Sequence, residues 1–349
     1  MAMIFIDGFD HYGVIANLTE GVYAEVSPTS GLATTNVRTG THALSFGAAS
    51  IVRRVLGGAK TTVGMGAAYY LNALPSGNNN QRIFEFRDTA NAAQVAIGVQ
   101  STGTISVKRG GVGGTEIGVT ASPVITAETY QHVEALVFFS NTVGTVEVRV
   151  NGVTVISLTG VDTVATANVE CSQVVFSGGI GGGAQGGVVD DVFCYDDTGS
   201  FNNTFLGDRR VLTLFPDADT IQADWTAVGS GTGFGAINQA TPDGDTTYIS
   251  AGVPGSPTPT SEFGMENLPA GVSAISGVVL VNMSRKTEAG IANVQMSVIS
   301  GASETAGTDE PMTEVYTYRQ DVFEIDPASA APFTPSEVDA LLIKADRTA

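Results

Sequence analysis

The chain has 349 residues, 43% hydrophobic, only 15% charged, and rich in glycine with 43. That length implies two domains, and the composition excludes wholesale disorder and points to many short strands joined by Gly-rich turns. Thirty-five acidic against 16 basic residues leave a net charge of −19, which repels phosphate backbones and anionic lipid and so argues against nucleic-acid or membrane partners.

No apolar run approaches the ~20 residues that span a bilayer. The opening MAMIFIDGFDHYG has neither the basic segment nor the apolar stretch of a secretory leader, so synthesis in a cytoplasm as a soluble protein is the expectation. Two cysteines, Cys171 and Cys194, form no C-x-x-C pair and have no His cluster beside them. Buried free thiols are their expected state.

Met3–Ile6 is a short apolar strand closed by the turn Asp7-Gly8-Phe9-Asp10. Glu20–Ser27 and Ala43–Phe46 are further strand candidates. Thr62–Leu74 mixes small and aromatic residues before the loop Pro75–Asn80. Gln81–Arg87 alternates, with Ile83 and Glu85 on one side and Phe84 and Phe86 on the other. Ala93–Val99 and Thr104–Arg109 flank a hairpin turn.

Thr145–Val150 places Val146, Val148 and Val150 on one face and Thr145, Glu147 and Arg149 on the other. Asn151-Gly152 is the preferred dipeptide of a type I′ turn. It sets Val150 opposite Val153, Arg149 opposite Thr154 and Val148 opposite Val155. With Val133–Phe139 upstream, these strands make a three-stranded meander. The run Gly178–Gly187 lacks the Lys-Ser/Thr ending of a phosphate loop and no helix follows it, so it reads as a turn. Val188–Tyr195 is β-branched and aromatic, a core strand.

In the second half, Gly207–Pro216 reads as a strand ended by Pro216, and Trp225, the only tryptophan, as a core anchor. Pro254–Thr260 is a Pro-rich loop. Val272–Met283, Asn293–Ile299, Met312–Gln320, Asp321–Ile325 and Leu341–Lys344 are strand candidates. Thr334-Pro335-Ser336-Glu337 fits a capping box with Pro at the first helical position.

The segments IFIDGFDHYG, GTHALSF (Gly40–Phe46), YQHVEALVFFSNTVGTVEVRVNG (Tyr130–Gly152) and VVDDVFCYDDTGSFNNTFLGDRRV (Val188–Val211) follow one another in that order. Together they resemble the concanavalin A-like, laminin-G-type jelly roll of bacteriophage structural proteins. The C-terminal part, from Gly207 through Trp225 to Leu341–Ala345, is similar to the second half of the same proteins. Tyr130 stands where that family often carries Trp.

The resemblance implies an all-β protein: a concanavalin A-like jelly-roll sandwich over 1–206 and a second, smaller β-sandwich over 207–349, with Ile4–Ile6 pairing near Val188–Tyr195. It implies a non-enzymatic virion structural protein of a tail-fibre, baseplate or neck appendage. Its partners would be other virion proteins and further copies of itself, and its place the virion. A capsid decoration protein, or a module binding host glycan or receptor through the jelly roll, is the alternative.

The residues offer little catalytic chemistry. Glu324-Ile325-Asp326 lacks the third acid of the Glu-x-Asp-x-x-Glu pattern and is followed by Pro327. His11, His42 and His132 have no spaced partner for zinc, no G-x-S-x-G elbow is present, and satisfied structural histidines are expected. Calcium is the one cofactor the acids could take, through Asp7, Asp10, Asp190 and Asp191 with Asp196 and Asp197 nearby. Alternation puts Asp190 and Asp191 on opposite faces of a strand, and exposed turn acids are the preferred reading. Tyr69, Tyr70 and Tyr130 are candidate sugar platforms that are as readily core.

Overall fold

The structure is a computed structural model describing residues 2–47, 50–76, 81–177, 186–222, 224–252 and 258–349. Among the described residues it is all-β apart from one α-helix and two short 3-10 turns, and no helix of these residues is long and apolar enough to cross a membrane. The chain divides into two units, one comprising 1–10 and 14–211, the other 11–13 and 212–349.

The first unit contains β1 (Met3–Asp7), β2 (Glu25–Val26), β3 (Ser30–Ala33), β4 (Ala43–Phe46), β5 (Val52–Lys60), β6 (Thr62–Leu71), β7 (Gln81–Arg87) and β8 (Ala93–Val99). It continues with β9 (Ile105–Arg109), β10 (Thr115–Val119), β11 (Tyr130–Phe138), β12 (Gly144–Val150), β13 (Val153–Val161), β14 (Cys171–Phe176) and β15 (Gly187–Tyr195). These make a two-sheet jelly roll. Sheet A runs β13-β12-β11-β6-β15-β4-β3 with β1 added to β15, and sheet B runs β10-β9-β8-β7-β14-β5-β2. The terminal strands close the fold: β1 pairs antiparallel with β15, Met3 opposite Tyr195 and Asp7 opposite Val192.

Strand alternation sends one residue set of each sheet inward. Phe5, Phe84, Phe86, Val95, Ile97, Val107, Val133, Ala135, Val137, Val146, Val148, Val174 and Phe176 are all fully buried. Phe176 sits at an aromatic junction, its ring near those of Phe9, Tyr23 and Phe46. Each such side chain is worth about 1.5–3 kcal/mol over its exposed state. Cys171 lies on sheet B and Cys194 on sheet A, both buried and unbridged; burial pushes the Cys171 thiol up to about 12.

The Asn151-Gly152 turn forms with φ of 49° and 79°, and it pairs Val150 with Val153 and Arg149 with Thr154 as expected. Val148 faces Ile156, not Val155, because a bulge between Val148 and Arg149 adds a residue to β13. The Gly178–Gly187 turn of the sequence falls almost wholly outside the described residues, as does most of the Pro254–Thr260 loop and the end of the Pro75–Asn80 loop.

The second unit holds β16 (Pro216–Gln222), β17 (Trp225–Val228), β18 (Tyr248–Ala251), β19 (Thr260–Met265), β20 (Val278–Ser284), β21 (Asn293–Ser300), β22 (Ser303–Pro311), β23 (Thr317–Phe323), α1 (Pro335–Asp339) and β24 (Leu342–Arg347). A five-stranded sheet β16-β19-β24-β21-β22 is accompanied by the ribbons β17-β18 and β20-β23. Phe263, Val298, Phe323, Phe333, Leu341 and Ile343 are central to its core, and Trp225 packs against it while donating Nε1–H to the Pro259 carbonyl, 3.3 Å. The capping box is present in full: the Thr334 side chain accepts from Glu337 N–H, and the Glu337 side chain from Thr334 N–H.

Two expectations change here, and one strand is new. Pro216 begins a strand and does not end one, a place where its missing N–H is harmless. Met312–Gln320 and Asp321–Ile325 resolve into the single strand β23. The polar edge strand β22, largely exposed, has no apolar alternation to announce it.

Gly152→Val should cost the first unit about 1–2 kcal/mol, because nothing crowds the site and the loss is purely that of a β-branched residue at positive φ. Thermal melting would read it, and Gly152→Asn should cost less.

Candidate functional site

The two outward faces of the jelly roll differ in what lies on them. On sheet A, cross-strand pairing builds the row Arg149, Glu134, Gly66, Phe193 and, one step along, Glu147, Leu136, Gly64, Tyr195. The glycines are required by close approach. A Cβ on Gly66 would stand 2.1 Å from Phe193 Cζ, and one on Gly64 2.1 Å from Tyr195 Cζ. Those two rings therefore lie flat across the sheet.

The chain following β15 then returns across this face. Leu206 N–H and Gly207 N–H donate to the two oxygens of Glu134 at 2.8 and 2.9 Å, and Tyr195 O–H donates at 3.0 Å. The Phe205 ring centre is 3.7 Å from the Arg149 guanidinium carbon. Asp208 takes both its bonds from Arg38 Nη2, at 2.5 and 2.6 Å, and Val211 N–H donates to Asp191 at 2.8 Å. Residues 207–211, expected to open the second sandwich, are instead a strap on the first, because buried carboxylates there need donors.

Asp190 and Asp191 are both fully buried, not exposed turn acids. A register shift between Asp190 and Phe193, with Asp191 at φ 53°, removes the simple alternation expected of them. Asp190 accepts N–H groups from Arg38, Thr39 and Asp191 at 2.9, 3.0 and 2.8 Å. Asp191 accepts from Arg38 Nη1 at 3.1 Å and Thr39 Oγ1 at 3.0 Å. Burial, then the adjacent Asp191 charge, pushes Asp190 up to about 7. Burial likewise raises Asp191 and Glu134.

Asp7 accepts from Phe9 N–H and Tyr23 O–H at 2.9 and 2.7 Å. Asp10 accepts from Thr41 N–H, Thr41 Oγ1–H and His42 N–H at 2.6, 3.1 and 2.8 Å. Both are buried. The structure thus gives Asp7, Asp10, Asp190 and Asp191 their own protein donors, and among the described residues no three His, Cys, Asp or Glu side chains gather as a metal site.

His132 departs from a satisfied structural histidine: it is 1% exposed, stacks on Phe193, and neither ring nitrogen has a hydrogen-bond partner among the described residues. Burial lowers it to about 4, against the pull of the Asp208 charge. Of the candidate aromatics, Tyr69 is core, its O–H on the Ile83 carbonyl. Tyr70 and Tyr130 are half-buried neighbours on the sheet A face, ring centres 5.5 Å apart. The Tyr130 O–H is spent on the Asn36 carbonyl.

Sheet B presents a polar face. One row crosses all seven strands: Glu25, Arg53, Val175, Glu85, Ala96, Lys108, Glu116. Beside it run Arg82, Gly98, Ser106, Val119 on one side and Val55, Gln173, Arg87, Ala93 on the other. A register shift between Arg82 and Phe84 lets Arg82 join the face of Glu85 and Arg87. Glu85, 1% exposed, is clamped by Arg82 Nε at 3.0 Å and Arg87 Nε at 2.6 Å. Arg53 bonds Glu25 at 3.0 Å and Gln173 Oε1 at 2.5 Å. One end of the face is bounded by residues 162–170, where Gln94 and Asp88 bond Ala165, Thr166 and Asn168. The E-x-R spacing of Glu85 and Arg87 was visible in the sequence. Arg53 and Lys108 join them only through the register.

No protein-family profile and no curated protein sequence matches this chain. Among solved structures it is similar to the alginate lyase Aly36B, 13% identical with a TM-score of 0.37 over 55% of this chain and 96% of that one. It is similar to the carbohydrate-binding module CBM66 from Bacillus subtilis, 10% identical with a TM-score of 0.33 over 53% and 97%. Domain 4 of AbnA, a GH43 extracellular arabinanase from Geobacillus stearothermophilus, is 16% identical with a TM-score of 0.35 over 49% and 76%. Likeness at this level transfers neither ligand nor activity.

Asp190→Asn tests the buried network. An unfolded Asp titrates near 3.9, so between about pH 4 and pH 7 the native protein keeps a proton that the unfolded chain has lost. Wild-type stability therefore falls across that window as pH rises, and the contribution is flat above it. His132 acts oppositely, its contribution lost as pH falls from about 6.5 towards 4, but it is common to both proteins. Melting from pH 4 to 8 should show the Asn variant gaining on wild type up to about pH 7. A pH-independent difference would assign Asp190 an ordinary titration.

Proposed function

We propose that this chain is a non-catalytic glycan-binding β module that uses the outward face of sheet B, and that it serves, as its sequence resemblance implies, on a phage virion beside other virion proteins and copies of itself. The carrying observation is the contrast between the faces. Sheet A's is covered by the strap 205–211 of the same chain, whereas sheet B's carries guanidinium, ammonium, amide and hydroxyl groups on a floor of Val175, Ala96 and Gly98. Polar donors converging on small residues suit a ligand made of hydroxyls.

The non-catalytic part of the reading follows from the same rows. Glu85 is held between Arg82 and Arg87, with one guanidinium on each of its carboxylate oxygens. The other carboxylates of its row, Glu25 and Glu116, lie three strands away on either side, roughly 14 Å at the usual strand spacing, against the ~5–9.5 Å that paired glycosidase carboxylates need. The three rows contain no His or Tyr.

A glycan array probed with the chain should show binding that Lys108→Ala weakens about tenfold and Tyr130→Ala leaves intact. Absence of any glycan binding would reject the reading, and loss in Tyr130→Ala alone would move the site to sheet A.

A further inference from the structure

We propose that the glycan taken by this face is acidic, with a sugar carboxylate seated between Arg82 and Lys108 and hydrogen-bonded by Ser106; this rests on the glycan-binding reading above. Arg82 and Ser106 occupy the same cross-strand row, separated by Gly98 alone, and Lys108 stands two residues along β9 from Ser106. Adjacent strands are ~4.8 Å apart, so Arg82 and Ser106 flank a gap of about 10 Å between backbones. Gly98 and Ala96 contribute no long side chain to fill it.

The donors around that gap are unspent. Arg82 uses Nε on Glu85, and among the described residues its two terminal nitrogens meet no acceptor. Lys108, half-buried, forms no ion pair or hydrogen bond among the described residues, although Glu116 is its cross-strand neighbour; the Glu116 carboxylate instead takes Gln100 at 3.1 Å. Ser106 is 1% exposed and its Oγ has no partner among the described residues, and a hydroxyl left so costs free energy until something bonds it.

By contrast, Arg87 is committed to Glu85 and Asn91, and Arg53 to Glu25 and Gln173. Glu85 supplies the orientation. By engaging the Nε edge of Arg82 it leaves the two terminal nitrogens as the edge that can meet a carboxylate in bidentate fashion. A neutral sugar would leave Arg82 and Lys108 partly desolvated and uncompensated. The net charge of −19 does not forbid the ligand, since charges beyond the ~8 Å Debye length of physiological salt are screened.

The test is calorimetric titration of the whole chain with oligomers of polygalacturonate, alginate and hyaluronan, with the same oligomers after carboxyl reduction, and with heparin. At least one carboxylated oligomer should bind, carboxyl reduction should weaken it tenfold or more, and Lys108→Gln should do the same at unchanged melting temperature. Ser106→Ala should weaken it a few-fold. Equal or tighter binding of the reduced oligomers, or a Lys108→Gln protein that binds like wild type, would overturn the acidic class, and binding of heparin alone would overturn the carboxylate in favour of sulfate. Binding to neutral oligomers would still leave the glycan reading standing; no binding to any oligomer would remove both.

Discussion

Glu134 sits where a carboxylate should not, in the middle of sheet A with its side chain stripped of water. Burial raises its pKa, and the chain answers by bringing donors to it: two consecutive backbone N–H groups, Leu206 and Gly207, and the Tyr195 hydroxyl. Gly207 adopts φ 75°, which glycine alone does without penalty, to let both N–H groups converge. Around that interaction the strap is laid down, with Phe205 on Arg149 before it and Asp208 on Arg38 after it. The strap thus lies over the outward side of β15, where Phe193 and Tyr195 are buried.

The strap also explains the unusual electrostatics beside it. Asp190 and Asp191 are buried beside Arg38, which is shared between Asp191 and Asp208, with Arg210 more distant from Asp191 at 3.9 Å. Two carboxylates compete for Arg38, so Asp190 relies on backbone N–H groups and ends near neutral pH. A buried group of this kind is weak evidence for stability, since the desolvation penalty offsets much of the attraction. Its firmer effect is to hold the loop of Arg38 and Thr39 against β15.

Sheet B solves the same problem differently. Its buried carboxylate, Glu85, is met by side chains, not by a returning segment of backbone. Arg82 meets this acid through Nε alone, and among the described residues its two terminal nitrogens take no acceptor. The two sheets thus supply their buried carboxylates from different sources, backbone on sheet A and side chains on sheet B.

Much of the architecture was legible in the residues. Period-two alternation in Gln81–Arg87 and Thr145–Val150, the Asn151-Gly152 turn, and the Thr334 capping box are local signals, and each is found where its chemistry put it. Alternation assigns a residue to a face but does not say which strand lies next to it. That is why Arg53, Glu85 and Lys108 did not look related, and why single-residue bulges at Arg82, Val148 and Asp190 changed partners that parity alone had assigned. The sequence by itself determined the strand class, the turns and the inward residues, because those depend on backbone preference and hydrophobic period. The buried fate of Asp190 and Asp191, the strap over Glu134 and the row of donors on sheet B were decided only by tertiary structure, because burial and hydrogen-bond supply belong to neighbours far apart in the chain.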